Sequence, residues 1–374
     1  MKKLLLILIS AAACTGKLPE QEVQKIFSRH SCEAHAPEAV SAALKDGAAG
    51  LARLDPRAAV LKGRKPLKAR PSGKNISSGL LLGERGGGLV LLKVFSGSPA
   101  EAAGFRDGDL VTAINGAAPT AEAVKDGIGR NTRYVLRGER PGAPGVLEGE
   151  VARGSFFFPQ IFAFYDEGSR TAFLRLGLFF EGSSEVALAA AAAAAERGAQ
   201  ALVIDVRDNQ GGVPGEAAAV LKAFAAKPGP VLEVRSRHAG YSSLFAAGAR
   251  GRFAGLRTAV LVNAGTARAA EVFAAGLRET AGAVLIGEKT AGSVSLQRAF
   301  SLGDGRGLEL TVARMFPPSG VNLEGAGAAP DAAAGEPGAG RVWDNSREAT
   351  LLGDGPWLKA LELLRDAAAP ARRR

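Results

Sequence analysis

The rhythm of apolar and polar positions changes twice along this chain. Residues 18–62 read as helical: 21–29 form one amphipathic piece, and Pro37 opens a helix running through Gly47 to Leu54. Residues 62–74 are a basic linker containing Pro and Gly. From Leu80 the apolar runs shorten to strand length, 80–82 and 89–95, separated by the turn Gly86-Gly87-Gly88. Pro99 starts a short helix that Gly104 ends, and Asn115-Gly116 closes the strand before it as a hairpin turn. A short helix is expected over 121–127, with strands over 134–137 and 146–151.

Beyond Phe156 strands and helices alternate. Strands are expected at 171–176, 201–206, 258–263, 284–286 and 308–314. Helices are expected at 215–226, at 269–280, and in an alanine-rich stretch capped by Ser183 or Ser184 and ended near Gly198. Residues 325–340 read as loop and 357–366 as a closing helix. Alternation of this kind argues for an α/β core.

Composition adds less. Of 374 residues 47% are apolar, enough for a core and for two or three domains. Lys and Arg (47) exceed Asp and Glu (37), giving +10, but the basic residues are scattered apart from Arg372–Arg374. Without a zinc-finger, RRM or helix-turn-helix signature, nucleic acid is not an expected partner. Lys2 and Lys3 precede a short apolar run that Ala11-Ala12-Ala13-Cys14 closes. That order is a signal peptide, with Cys14 as lipidation site and membrane anchor; an ordinary secretory signal cleaved near Ala13 is the alternative. Either way the chain is expected in the cell envelope, facing the periplasm, or else secreted. His30, Cys32 and His35 are too few for a zinc site, and no metal or cofactor is expected.

Gly97-Ser98-Pro99-Ala100, Ala103-Gly104-Phe105, Gly108-Asp109 and Ile114-Asn115-Gly116 together resemble a PDZ domain. The resemblance implies β-augmentation: a strand edge accepts an extended peptide, and loop amides hold its carboxylate. Gly79, Leu80, Leu81 and Leu82 would form that loop and strand, and Val124 a pocket wall. A β-domain that binds nothing is the alternative.

The remainder resembles the C-terminal-processing (tail-specific) serine peptidases. The matching pieces are residues 50–56 ending in Leu54-Asp55-Pro56, the loop Asp205-Val206-Arg207-Asp208-Asn209-Gln210-Gly211-Gly212, the segment 262–271, and the segment 287–297. Pro318-Ser319-Gly320 and Pro330-Asp331 close the match, which covers roughly residues 20–335. The resemblance implies a ClpP/crotonase-like α/β core with an inserted PDZ domain and an N-terminal helical segment. The division is 1–14 signal peptide, 18–75 helices and linker, 76–153 PDZ, 156–335 peptidase-like core and 336–374 tail with helix.

The family's serine–lysine dyad would fall, by the same resemblance, on Arg268 and Ser293. Gln297 is retained, and Gly211, Gly212 and Ala269 would supply oxyanion amides. A guanidinium stays protonated and has no lone pair for attack, and a serine hydroxyl is no resting base. Three readings follow: an inactive family member that binds protein C-termini, an active peptidase whose nucleophile has moved to Thr266 or Ser293, and an envelope lipoprotein that binds nothing. Arg268 itself either clamps a carboxylate or folds back on an acidic residue of its own chain. The oligomeric state is left open.

Overall fold

The computed structural model describes residues 17–62, 72–85, 88–120, 133–335, 349–351 and 353–366. Three helices come first: α1 (Glu20–His30), α2 (Pro37–Leu44) and α3 (Gly47–Leu54). The expected single helix from Pro37 is two, because the chain breaks at Gly47, whose φ of +58° suits a residue without Cβ. Val23, Phe27, Val40 and Leu51 from these helices bury with Leu308 and Leu310.

After β1 (Ala59–Lys62) comes a β-rich unit: β2 (Ser72–Ser77), β3 (Leu80–Arg85), β4 (Gly88–Val94), α4 (Pro99–Ala102), β5 (Leu110–Ile114), β6 (Arg133–Glu139), β7 (Val146–Ala152) and β8 (Gly154–Pro159). Strands β3 to β7 pair in sequence order. The Ser98 hydroxyl accepts the Glu101 amide (3.2 Å) and caps α4. Asn115 and Gly116 both have positive φ, and Ile114 and Ala117 exchange two hydrogen bonds (2.9 and 3.0 Å), which is the expected two-residue turn. The expected helix over 121–127, with Val124, lies outside the described residues, as does Cys14.

The α/β core holds β9 (Ile161–Asp166), β10 (Thr171–Leu176), α5 (Ser183–Glu196), β11 (Ala201–Asp205), α6 (Pro214–Phe224), β12 (Gly229–Arg235), β13 (Ser243–Ala247), β14 (Arg257–Val262), α7 (Ala269–Ala281), β15 (Val284–Gly287), β16 (Ser295–Ser301), β17 (Arg306–Phe316) and β18 (Ala332–Ala333). Its main sheet has the order β18-β15-β14-β11-β10-β9 and is parallel except for β9. Every residue of β10 and β11 is buried, as expected for strands covered on both faces. Helix α5 lays Ala187, Ala191 and Ala194 on the core, small side chains at helical spacing. Its cap is Gly182 rather than a serine; Glu216 accepts the Gly182 (3.0 Å) and Ser184 (2.8 Å) amides instead. A second sheet, β1-β17-β12-β13 with β16 on β17, flanks the first.

Two last elements tie the units together. β19 (Ala349–Thr350) pairs parallel with β3, and α8 (Gly355–Asp366) packs on the main sheet. Phe95, Phe158, Phe162, Phe164, Phe173 and Trp357 form one aromatic cluster at this junction, with Phe95 and Phe158 ring centroids 4.7 Å apart. Such pairs add about 0.5–1.5 kcal/mol each beyond their burial.

Candidate functional site

The carboxyl ends of β11, β14 and β15 point to one place, where ligands bind in open parallel sheets. Three loops leave there, and Gly211, Gly212, Arg268 and Ser293 lie on them. Residues 206–212 follow β11, residues 263–268 follow β14 and lead into α7, and residues 288–294 follow β15.

Arg268 is the N-cap of α7, with φ +54° and ψ −124°. A side chain with Cβ rarely adopts that conformation, and it costs of order 1–3 kcal/mol unless the surroundings enforce it. Here they do. The Arg268 amide donates to the Ser293 carbonyl (2.7 Å), and its carbonyl accepts the Glu271 and Val272 amides (both 3.2 Å). Its guanidinium reaches only the Gln210 carbonyl, at 3.5 Å. Among the described residues no carboxylate pairs with it.

Ser293 is 9% exposed and is held from behind. The fully buried carboxylate of Glu271, in the first turn of α7, accepts the Gly292 (2.8 Å) and Ser293 (2.9 Å) amides and the Thr290 hydroxyl. Glu271 thus fixes the third loop against the helix that carries Arg268. Below the loop, Glu324 accepts the Val294 amide (2.9 Å), the Ser295 hydroxyl (2.8 Å) and the Arg57 guanidinium (2.7 Å). Burial opposes the Glu324 charge, but hydrogen bonds from Arg57, Ser295 and Val294 outweigh it and lower the carboxyl below its ordinary value.

The glycine loop requires its glycines. A Cβ on Gly211 would lie 2.6 Å from the Arg268 Cβ, and one on Gly212 would lie 1.9 Å from the Phe179 carbonyl oxygen. The expected oxyanion set needs one correction. The Gly211 amide is committed to the Asn209 Oδ1 (2.7 Å, buried), so Gly211 supplies close approach and not a donor. The Gly212 and Ala269 amides take no part in the hydrogen bonds of the described residues. Ala269 opens α7, where orphan amides and the helix dipole favour a negative oxygen.

Thr266 is fully buried; its hydroxyl donates to the Val206 carbonyl (2.9 Å) and accepts the Asn263 amide (3.1 Å). It ties the first two loops together and faces no substrate. Gln297 lies on β16 with its Nε2 buried and unpartnered. The sequence reading passed over the ion network beneath the site. Arg207, fully buried, grips Asp205 through Nη2 (2.7 Å) and Asp354 through Nη1 (2.8 Å). Arg175 adds a contact to Asp205 (3.3 Å). Burial pulls Arg175 down to about 10, and it pushes the Asp354 carboxyl up against the attraction of Arg207. The available signal was Arg207, a charge two residues after a five-residue buried strand that itself ends in Asp205.

In the β-rich unit, Leu80, Leu81 and Leu82 are almost fully buried. Gly79 has φ +78°, and its amide donates to the Ser77 hydroxyl (3.2 Å). One edge of β3 pairs with β4. On the other edge, Leu81 and Leu82 pair with Ala349 and Thr350, and the Leu351 amide donates to the Leu82 carbonyl (2.9 Å). A cleft of about 1010 Å³ lies elsewhere, between residues 93–96, β9 and α5, and contains none of these groups.

Comparison with known proteins places the similarity in this core. The model of peptidase family S41 matches residues 170–334. The carboxy-terminal processing protease CtpB of Bacillus subtilis is 24% identical over 266 residues, 69% of this chain and 55% of that protein. The carboxyl-terminal-processing protease of Synechocystis is 28% identical over 293 residues, 76% of this chain and 67% of that protein. The chain therefore spans between about half and two thirds of these relatives' lengths. The solved photosystem II D1 C-terminal processing protease shares the fold, with a TM-score of 0.53 at 23% identity over 94% of this chain and 97% of that one. Residues 170–334 thus match peptidase family S41, and the chain is similar over about 63–76% of its length to C-terminal processing peptidases.

Proposed function

We propose that this protein binds protein C-termini without cleaving them, as an exported and lipid-anchored member of its family. The observation that carries the reading is Arg268 at the head of α7. Its backbone has φ +54° and lies beside Gly211 and one hydrogen bond from Ser293, and its side chain only donates protons. In this reading Arg268 and Ser293 stand where the dyad serine and lysine would be, in a ClpP/crotonase-like core, and residues 76–153 are a PDZ domain.

The remaining groups suit a carboxylate better than a scissile carbonyl. The Gly212 and Ala269 amides would receive one oxygen, and the Arg268 guanidinium would hold a carboxylate through paired hydrogen bonds. The Arg268 guanidinium offers no lone pair for attack. Burial and two hydrogen bonds on Thr266 argue against a nucleophile relocated there. The signal Lys2-Lys3, its apolar run and Cys14 support an envelope location facing the periplasm, outside the described residues.

The reading in which the β-rich unit binds nothing is favoured by one observation: the second edge of β3 already pairs with residues 349–351. An unstructured polypeptide with an apolar C-terminus separates the three. Binding without cleavage supports the proposal. Cleavage lost on Ser293→Ala supports a relocated nucleophile, and absence of both supports the idle module.

A further inference from the structure

We propose a second binding site, for a small oxyanion of the phosphate or carboxylate class, in a pocket of about 240 Å³ lined by Cys32, Arg235, Ser236, Arg237, Arg314 and Phe316. It lies where the end of α1 meets the second sheet and is separate from the three loops described above.

The first observation is register. β12 and β17 run antiparallel, and Arg235 stands directly opposite Arg314. Like charges facing each other across two strands are destabilising, whereas opposite charges stabilise. Arg237, two residues beyond Arg235, brings a third guanidinium to the same pocket.

The second observation is how few anions meet these cations. Arg235 reaches Glu233 (2.6 Å) while its plane lies 4.4 Å over the Phe316 ring. Arg314 reaches Glu33 (2.5 Å) through Nη2, leaving a buried Nε with no partner. Arg237 donates only to neutral carbonyls, those of Phe27, Ser28 and Ser31 at the end of α1. Asp55, the next carboxylate inward, is turned away onto Thr311. Among the described residues two carboxylates therefore serve these three guanidiniums directly, with Glu324 acting on Arg314 from further off. An oxyanion there would relieve the facing charges and meet donors in the fork geometry that such groups favour.

Cys32 gives a built-in reporter, since its thiol lines the same pocket. The test uses the full chain, titrated calorimetrically with inorganic phosphate and, separately, with acetate at constant ionic strength. Alkylation of Cys32 is followed in parallel by peptide mass mapping. Saturable binding of one anion per chain is expected, with alkylation slowed several-fold at saturation. Tighter phosphate assigns a phosphoryl ligand, and tighter acetate a carboxylate. Arg314→Gln should weaken binding by about tenfold or more, the loss of one charge-assisted contact. Glu33→Gln, an exposed change, should tighten it by freeing Arg314. The site is overturned if neither anion binds saturably up to about 10 mM, a limit of a few kcal/mol. It is also overturned if bound anion leaves Cys32 alkylation unchanged, or if Glu33→Gln and a folded Arg314→Gln both bind like the parent.

Discussion

The amide of Arg268 donates to the carbonyl of Ser293 at 2.7 Å, so the two positions expected to hold a catalytic pair are locked together through their backbones. In the proposed reading their side chains depart from the family's serine–lysine pair while the backbone frame that would hold such a pair is in place. That combination is what a binding cleft derived from a peptidase would show. It also means that the consequences of each substitution can be argued position by position.

Arg268 keeps a left-handed backbone, with φ +54°, without being glycine. Arg268→Gly should therefore be more stable than Arg268→Ala by about 1–2 kcal/mol, since only the first removes the Cβ that makes the conformation costly. Urea unfolding of the two variants measures the gap. Equal stabilities would mean that the backbone relaxes at no cost.

Asp354 does two jobs. It pairs with buried Arg207, and it accepts the Trp357 amide (2.8 Å) at the start of α8. Asp354→Ala leaves Arg207 with one fewer counter-charge in the interior, which should cost about 3–5 kcal/mol. Hydrogen exchange should show α8 losing protection first.

The acid limb of stability should carry the signature of Glu324. Its carboxyl titrates below the ordinary 4.5 in the folded chain, so the unfolded state binds the proton first. The contribution is complete above pH 4.5 and is lost as pH falls through the lower folded value. Glu324→Gln should cost about 1–2 kcal/mol near pH 7. Parent and variant should converge in acid, when unfolding free energies are compared from pH 7 downward.

Residues 349–351 occupy the edge of β3 that a peptide would join. Leu351→Pro removes the amide that bonds Leu82 and a side chain that is 2% exposed. If peptide and resident strand compete, affinity for an apolar C-terminal peptide should rise by about tenfold, equivalent to about 1.4 kcal/mol of lost competition. Fluorescence anisotropy of a labelled peptide reads this directly.

Sequence legibility followed local chemistry. The expected bounds of β10 match the observed ones, and those of β11 and α7 lie within a residue, because each is a mainly apolar segment with local stop signals such as Gly282 after α7. The glycines of the loop are legible in the sequence, yet Gly211 and Gly212 differ because the Asn209 side chain takes the Gly211 amide. That distinction is tertiary. β12, β13 and β16 were not anticipated. β12 carries Pro230 and a register shift, and β16 another shift after Leu296, and each blurs the two-residue alternation. The pairing of Ala349 and Thr350 with β3 spans more than 260 residues and leaves no local trace. Arg207 and Asp354 likewise meet only in the fold.

The most direct measurement compares the purified parent with the double variant Arg268→Ser, Ser293→Lys on one unstructured substrate ending in apolar residues. The account predicts bound but uncleaved substrate for the parent, and time-dependent cleavage for the variant, whose side chains would restore an attacker and a base to the retained frame. Turnover by the parent equal to or above that of the variant would contradict it.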